Sequence, residues 1–316
     1  MIGCLACRNF ADPKIGMDQS QKVELQALSW PQKLSAVMEL TKARLNLSVV
    51  YSAVAGYLLG ASQIEWLSLL NLSLGGFLVV GAANGFNQVL ERDRDVLMSR
   101  TQSRPLPQGR LSTLEAMIAC TLMAVAGLTL LYLINPMTVL FGGLALFLYV
   151  LVYTPLKAWG PIAVFVGAFP GAIPALLGWV AATNDFDIEP GVLFAIQFLW
   201  QFSHFWAIAW IAHDDYQKAG YNLLPSGKRD VRSLAQILIY TVFVIPVSLL
   251  PYFGFTGQLG LSLTGMMLIL ALGIVFVYYA VNLAYRKEQR SARQLMLYSV
   301  IYLPVVQLIY VLDKFI

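Results

Sequence analysis

The sequence has few charged residues for its length. Of its 316 residues only 12% are Asp, Glu, Lys or Arg, whereas 58% are hydrophobic. A soluble domain has about 25% charged and about 45–50% apolar residues. So few charges cannot cover the surface of a water-soluble enzyme of this length, and so many apolar residues exclude a disordered chain. The composition therefore predicts a protein that crosses a membrane several times.

The sequence also has few cysteines, and residues 1–33 lack the pattern of a signal or transit peptide. The three cysteines are an odd number and Cys120 lies in an apolar run, so we expect no disulfide framework. Cys4 and Cys7 have the spacing of half a zinc site, but no second pair follows, which favours an incidental pair. Residues 1–33 mix acids and bases without a long apolar stretch, so they predict neither a signal peptide nor a mitochondrial transit peptide. We interpret them as a flexible cytoplasmic tail before a membrane domain over 34–316.

Several motifs of soluble enzymes and of transporters are missing. The sequence has no Walker A loop, no dinucleotide-binding glycine fingerprint and no His-Glu-x-x-His pair. Charged residues are absent from the middle of every predicted helix, which is unusual for an ion-coupled transporter. We expect the lipid bilayer as a partner and no nucleic acid.

Long apolar runs occupy most of the chain. Each is about 17–24 residues long, which is enough to cross about 30 Å of hydrocarbon. They predict an all-α bundle of nine transmembrane helices around a central cavity open near the cytoplasmic side. The predicted spans are 45–62, 66–88, 113–132, 137–155, 161–182, 191–212, 233–254, 260–283 and 294–312.

Basic residues fall on one side of this bundle. Every Lys and Arg except Lys314 lies in the N-terminal segment or in an even-numbered connection between the predicted spans. Since Lys and Arg mark cytoplasmic loops, the N-terminus is predicted inside and the C-terminus outside. Together with the missing transit peptide, this pattern predicts a multi-pass protein of a bacterial plasma (inner) membrane.

Acidic residues line one face at the end of the second span. Asn87, Glu91 and Asp95 are spaced i, i+4 and i+8, so on a helix their side chains stack above one another. Stacked carboxylates repel each other unless a cation lies between them, and Mg²⁺ is usually bound by one or two carboxylates plus substrate phosphates. The spacing indicates a metal site, and the alternative is a solvated helix end neutralised by Arg92 and Arg94.

Basic side chains follow this acidic face. Arginine binds phosphate oxygens in a bidentate manner, so a basic cluster beside a metal site outlines a diphosphate site. The positive-inside pattern predicts the same residues without any ligand, and membrane anchoring explains the two nearest the first span equally well. The candidates are Arg100, Arg104, Lys157, Lys42 and Arg44.

A polar stripe follows the sixth span. Gln197, Gln201 and His204 lie on one helical face that continues to Asp215. Polar groups at membrane depth normally face the bundle interior and mark a site. His204 is a candidate to bind a metal, relay a proton or form a hydrogen bond between helices.

Taken together, these motifs resemble the intramembrane prenyltransferases, the superfamily of 4-hydroxybenzoate polyprenyltransferase, and within it the branch that farnesylates haem. The resemblance covers 45–312 and not the tail. It rests on four motifs: Asn87-x3-Glu91-x3-Asp95-x-Leu-Met-x-Arg100-Thr-x2-Arg104-Pro-Leu-Pro; Tyr153-Thr-Pro-Leu-Lys157; Gly167-Ala-x-Pro-Gly-Ala-x-Pro174-x3-Gly178-Trp179; and Gln201-x2-His204-Phe205-x3-Ala209-Trp210, which continues through Asp214-Asp215-Tyr216 to Leu224-Pro225.

The resemblance implies a reaction and a role for each candidate. Farnesyl diphosphate and haem B would give haem O and diphosphate, with Mg²⁺ as cofactor and a haem A synthase or terminal oxidase assembly as a partner. The implied catalytic residues are Asn87, Glu91, Asp95, Asp214, Asp215 and Lys157. Metal binding would fall to Asn87, Glu91, Asp95 and Asp215, leaving-group binding to the basic candidates, and haem binding to His204, Gln201 and Gln197.

Two other functions fit parts of the sequence. A prenyltransferase that acts on a quinone-precursor aromatic acid would share the first acidic motif, but it should carry a full Asp-x3-Asp in the second. Here Lys218 or Ala219 stands at that position, which favours haem. A membrane transporter without catalysis would explain the helices and the polar stripe but not the stacked acids followed by Arg-Pro-Leu-Pro.

Overall fold

The computed structural model describes residues 28–316, and all of the regular structure in that range is helical. Most of the predicted tail 1–33, with Cys4 and Cys7, lies outside the described residues. Its last residues lead into the first helix, α1 (Trp30–Thr41), which begins after Ser29 with a proline in its first turn.

Nine long segments follow α1, and they confirm the predicted polytopic all-α class. Eight of them, within the described residues, are long and apolar enough to cross a membrane. The ninth, α2 (Ala43–Gly60), has 18 residues but is more polar because it carries Arg44 and Asn46. The eight are α3 (Trp66–Leu90), α5 (Thr113–Tyr132), a composite span Pro136–Trp159, α8 (Ile162–Thr183), α9 (Ile188–Ile211), a span Val231–Phe253 that begins with α11 (Val231–Leu249), α12 (Leu263–Arg286) and α13 (Gln289–Phe315).

Short helices and irregular turns lie between and within these spans. α4 (Arg92–Asp95) follows α3, and α10 (His213–Lys218) follows α9. The composite span consists of α6 (Pro136–Phe147), a π-helical turn (Leu148–Tyr153), α7 (Thr154–Leu156) and a 3₁₀ turn (Lys157–Trp159).

Local sequence explains where several helices begin. Ser112 accepts a hydrogen bond from the amide of Glu115, whose carboxylate accepts one from the Ser112 amide. This reciprocal capping box satisfies two amides that the first turn leaves without a partner. Asp230 and Ser262 cap α11 and α12 with one hydrogen bond each, because their side-chain oxygens accept from the amides of Ser233 and Gly265. Ser112 directly precedes the predicted start at 113, and the other two caps lie within about three residues of the predicted starts at 233 and 260.

Close packing of α2 against α8 brings two walls of the bundle together. A Cβ atom on Gly56 would overlap the carbonyl of Ala175, and one on Gly178 would overlap the carbonyl of Ala53. In a membrane, where lipid is as apolar as leucine, small residues of this kind let helix backbones approach and gain van der Waals contact. Substituting either glycine would force these two helices apart.

Candidate active site

A cavity of about 620 Å³ opens inside the bundle. Its walls come from α2, α3, the π-helical turn, α8, α9 and α13. Most of the lining is apolar, but one end carries a cluster of charged and amide side chains. We call this cluster the charged end: Lys42, Arg44, Asn87, Glu91, Asp95, Arg100, Arg104 and Lys157. The first acidic motif and all the basic candidates therefore meet at one place.

The first acidic motif spans a helix break. α3 ends at Leu90, and Glu91 is the residue between it and α4. The helical hydrogen bonds continue across the break, because the amide of Glu91 donates to the carbonyl of Asn87 at 3.0 Å and that of Asp95 donates to Glu91 at 2.8 Å. The spacing i, i+4, i+8 is therefore kept, and all three side chains line the cavity.

Each carboxylate of this motif is paired with one basic candidate. Lys157 Nζ lies 2.8 Å from Glu91 Oε1, and Arg104 Nη1 lies 2.6 Å from Asp95 Oδ2. Both acids are buried, with relative exposures of 6% for Glu91 and 0% for Asp95. A buried charge without a partner is costly, so these pairs keep both acids and both bases in an interior where neither would be stable alone.

Only one carboxylate oxygen of Asp95 is bound by Arg104. Its Oδ1 atom is buried and has no hydrogen-bond partner, while Oδ2 accepts from Arg104. Burial raises the pKa of Asp95 above its usual value, and the Arg104 guanidinium acts against that rise. Among residues 28–316, no group of three or more His, Cys, Asp or Glu side chains is placed to hold a metal ion.

Lys42 joins the charged end through an unusual backbone conformation. It connects α1 to α2 with φ 54°, in the left-handed region, and its side chain lines the cavity beside that of Arg44. Burial lowers the pKa of Lys42 to about 7, and the neighbouring cations Arg104, Lys157 and Arg100 lower it further. Lys42 is therefore close to its titration point at neutral pH.

The π-helical turn sets the positions of two tyrosines and Lys157. Tyr149 and Tyr153 both line the cavity, with ring centroids 5.2 Å apart. The Lys157 ammonium lies 4.6 Å from the centroid of the Tyr153 ring. The Thr154 hydroxyl donates to the carbonyl of Tyr149, five residues before it, and accepts from the side-chain Nδ2 of Asn87. The wide turn thus joins the composite span to the first acidic motif, as π-turns at functional sites often do.

The second acidic motif lies outside the cavity. Asp214 pairs with Arg229 at 3.1 Å, and its side chain is 67% exposed. Asp215 accepts hydrogen bonds from the hydroxyl and amide of Ser99 and from the amide of Arg100, so it fixes the loop after α4. Neither carboxylate lines the cavity. The structure places Asp215 beside the charged end but not within it, and a catalytic role for either residue stays a prediction.

The polar stripe of α9 does line the cavity, but its glutamines are already engaged. Gln197 donates to the carbonyl of Gly171 at 2.8 Å, and Gln201 donates to that of Ala168 at 2.9 Å. These bonds join α9 to α8. His204 lies deeper than the charged end, with its ring stacked on Trp200 at 4.9 Å and 12°.

Three residues near the site carried no recognisable signal in the sequence. The Tyr221 hydroxyl donates to Glu91 at 3.1 Å although the two are 130 residues apart. Tyr149 lines the cavity because of the π-turn, which hydrophobic periodicity does not reveal. Ser299 on α13 contacts His204. Only their spatial neighbours distinguish them from other tyrosines and serines in apolar spans.

Comparisons with known proteins agree with this geometry. Residues 49–301 match the model of the UbiA prenyltransferase family. A protein of Christiangramia forsetii named protoheme IX farnesyltransferase is 53% identical over 283 residues, which are 90% of this chain and 94% of that protein.

Solved structures share the fold. A digeranylgeranylglyceryl phosphate synthase superposes with a TM-score of 0.74 at 22% identity, covering 89% of this chain and 98% of its own. A UbiA homologue from Archaeoglobus fulgidus bound to GPP and Mg²⁺ superposes with a TM-score of 0.62 at 15% identity, covering 87% of this chain and 99% of its own. Because the family model matches residues 49–301 and the relative from Christiangramia forsetii is 53% identical over 90% of this chain, the chain belongs to the UbiA prenyltransferase family.

Proposed function

We propose that this prenyltransferase moves a farnesyl group from farnesyl diphosphate to a vinyl group of haem B, giving haem O and diphosphate. The name carried by the Christiangramia relative supports this substrate pair. The observation that carries the proposal is a single cavity with two chemically different parts. Its charged end holds two buried acid–base pairs, and its apolar body holds the imidazole of His204.

The charged end is suited to a diphosphate. Lys157 and Arg104 are each paired with a carboxylate, and Arg100, Lys42 and Arg44 line the same end. A diphosphate would take over the donors of Lys157 and Arg104, because phosphate oxygens and carboxylates compete for the same groups. Donors placed where charge develops on a leaving group are typically worth about 10²–10³ in rate each.

The donor set also fits a Mg²⁺ ion. Mg²⁺ is usually held by one or two carboxylates together with substrate phosphates, so a cluster of three acids is not needed. Asp95 offers a buried oxygen without a partner, and Glu91 and the Asn87 amide oxygen complete the face. When bound there, Mg²⁺ would neutralise the charge that builds up on the departing diphosphate. The Archaeoglobus structure with GPP and Mg²⁺ supports a metal-dependent reaction.

The apolar body is suited to the farnesyl chain and to haem. Ionisation breaks the allylic C–O bond, and the electron pair leaves with the diphosphate. The haem vinyl group then forms the new C–C bond, and water adds to the resulting cation and loses a proton, which leaves a hydroxyl group. The allylic cation must be kept from other water, and the rings of Tyr149 and Tyr153 lie beside the charged end to shield it.

The position in the membrane follows from the basic loops. We propose a bacterial inner-membrane protein with a cytoplasmic N-terminus and an external C-terminus, since every basic residue but Lys314 lies in the N-terminal segment or in an even-numbered connection between the predicted spans. A haem A synthase or a terminal oxidase assembly would receive the product.

Purified protein incubated with haem B, farnesyl diphosphate and Mg²⁺ tests the reaction. We expect one diphosphate released for each haem that gains a farnesyl group and a hydroxyl group, measured by mass spectrometry of the extracted pigment. A parallel incubation with 4-hydroxybenzoate in place of haem should give no prenylated product, and EDTA should stop turnover. Prenylation of the aromatic acid, or diphosphate release without a modified haem, would contradict the proposal.

A further inference from the structure

Ser299 lies behind His204, outside the cavity, and holds two residues of α9 in place. Its hydroxyl oxygen is 2.8 Å from His204 Nδ1, and its backbone carbonyl accepts a 2.8 Å hydrogen bond from the Trp200 indole. Ser299 is fully buried on α13 and does not line the cavity, whereas Trp200 and His204 both do. One residue of α13 therefore fixes two neighbouring rings in the cavity wall.

The hydrogen bonds of Ser299 determine which nitrogen of His204 carries a proton. The Ser299 hydroxyl also lies 2.6 Å from the carbonyl oxygen of Met296. Two oxygens at that distance need a proton between them, and a carbonyl has none to give, so the hydroxyl proton goes to Met296. The Ser299 oxygen can then only accept from His204, which means that Nδ1 carries a hydrogen.

This tautomer leaves the second ring nitrogen as a lone pair. In a neutral imidazole only one nitrogen is protonated, so with the hydrogen on Nδ1 the Nε2 atom is an acceptor. Nδ1 faces α13, behind the wall, and Nε2 is at the opposite end of a ring that lines the cavity. Stacking on Trp200 fixes the ring plane. A lone pair held in this way is what a haem iron binds, and such outer hydrogen bonds normally orient histidine ligands.

We propose that Ser299 is a positioning residue that locks His204 in the Nδ1–H tautomer, so that Nε2 binds the iron of the substrate haem. The inference rests on the proposed function and deepens it. His204 is seven residues before the end of α9 at Ile211, so the iron would lie about 10 Å deeper along the helix than that end. The haem would thus be attached to α9 through its iron, while the diphosphate is held at the charged end.

Spectra of bound ferric haem B test this assignment without turnover. Wild-type protein in detergent should give the absorption and electron paramagnetic resonance spectra of histidine-ligated haem, and His204→Ala should lose them. Ser299→Ala should weaken haem binding by about tenfold. The matched control is Ser291→Ala, because Ser291 is a buried serine on the same helix whose hydroxyl has no hydrogen-bond partner. That control should bind haem as the wild type does.

Free imidazole separates the hydrogen bond from general packing. In His204→Gly, added imidazole should restore the histidine-like spectrum, and in the double variant His204→Gly/Ser299→Ala the concentration needed should rise about tenfold. A wild-type spectrum in His204→Ala would overturn the ligand, and equal behaviour of Ser299→Ala and Ser291→Ala would overturn the positioning role. Histidine-ligated haem without any farnesylated product would contradict the proposed reaction but not the role of His204. If the wild type bound no haem, both the proposed reaction and the role of His204 would be contradicted.

Discussion

The two acidic motifs look alike in the sequence and differ in the structure. The first places Glu91 and Asp95 in a buried cavity, each against a single basic side chain. The second leaves Asp214 on the surface and uses Asp215 to hold a loop. Buried acids that face a cavity can exchange their partners for a ligand, whereas acids bound by backbone amides and surface arginines are already satisfied. We therefore expect the chemistry at the first motif and a supporting role for the second, whose Asp215 holds the loop after α4.

The direction of the pKa shifts follows the same division. Burial raises the pKa of Asp95, which the Arg104 guanidinium opposes. At Asp215 desolvation also acts upward, but hydrogen bonds from Ser99, Lys218 and the Arg100 amide outweigh it and hold the pKa at about 2. The negative charge is costly at the first residue and stabilised at the second, so the first has the more to gain from a bound cation.

The largest effect should come from Asp95→Asn. The amide keeps one oxygen but loses the negative charge, which weakens the proposed metal ligand and the ion pair with Arg104. We therefore expect kcat to fall by about 10²-fold or more, measured as haem O formed at saturating farnesyl diphosphate. Asp214→Asn is the matched control in the second motif and should stay within about twofold of the wild type, since its ion pair is exposed. Similar losses in both variants would contradict the division.

The fold was largely predictable from the sequence. Nine apolar runs bounded by polar loops give spans whose ends agree with the structure to within a few residues, because in lipid only a helix satisfies its own backbone. What the runs do not reveal is irregular backbone. Neither the break at Glu91 nor the π-turn at Leu148–Tyr153 changes the hydrophobic pattern, yet they place Asp95 and Tyr149.

The site was predictable only in part, for a reason that the two motifs illustrate. Spacing correctly indicated that Asn87, Glu91 and Asp95 share a face, since that depends on helix geometry alone. The direction of Asp214 and Asp215 depends on Arg229 and Ser99, which pack there through tertiary structure. Contacts between residues far apart in the chain leave no periodic pattern to read.

The next effect concerns pH and the free lysine of the charged end. Because the pKa of Lys42 is about 7, its charged fraction falls as pH rises through neutrality, by about tenfold for each further unit. We expect the KM for farnesyl diphosphate to rise with pH above 7 in the wild type. Lys42→Arg keeps its charge and should give a KM that changes far less between pH 6.5 and about 8.5. The same slope in both proteins would exclude Lys42 from diphosphate binding.

The pKa of Lys42 should also affect the free energy of unfolding, measured without substrate. Substrate binding should weaken as pH rises above 7, whereas stability should increase. A lysine whose folded pKa lies below its unfolded value of 10.5 costs stability while it is charged. The unfolded chain binds the extra proton between about pH 7 and 10.5, so stability should increase with pH over that window. Lys42→Met should remove this increase in a thermal melt, while Lys287→Met, at an exposed helix end, should not.

A smaller effect is expected from Asp215→Asn. Since the folded pKa of Asp215 is about 2 against an ordinary 3.8, its carboxylate stabilises the fold above about pH 4, and that contribution is lost as pH falls from 3.8 toward 2. Asp215→Asn should therefore lower the melting temperature at pH 7 and converge with the wild type at low pH. Its kcat should fall far less than that of Asp95→Asn. A loss of kcat as large as that of Asp95→Asn would indicate that Asp215 takes part in metal binding.

The smallest effect tests the link between the two regions. Tyr221, from the loop after α10, donates its hydroxyl to Glu91, and burial raises its pKa to about 12, so it stays a donor at any working pH. Tyr221→Phe should cost about 1–2 kcal/mol of stability, because Lys157 still pairs with Glu91. Tyr285→Phe, 86% exposed, should cost nothing measurable. In a double-mutant cycle with Glu91→Gln, the loss of stability caused by Tyr221→Phe should be smaller, since the charged acceptor is gone. If the two losses simply add, the loop after α10 does not support the first acidic motif through this hydrogen bond.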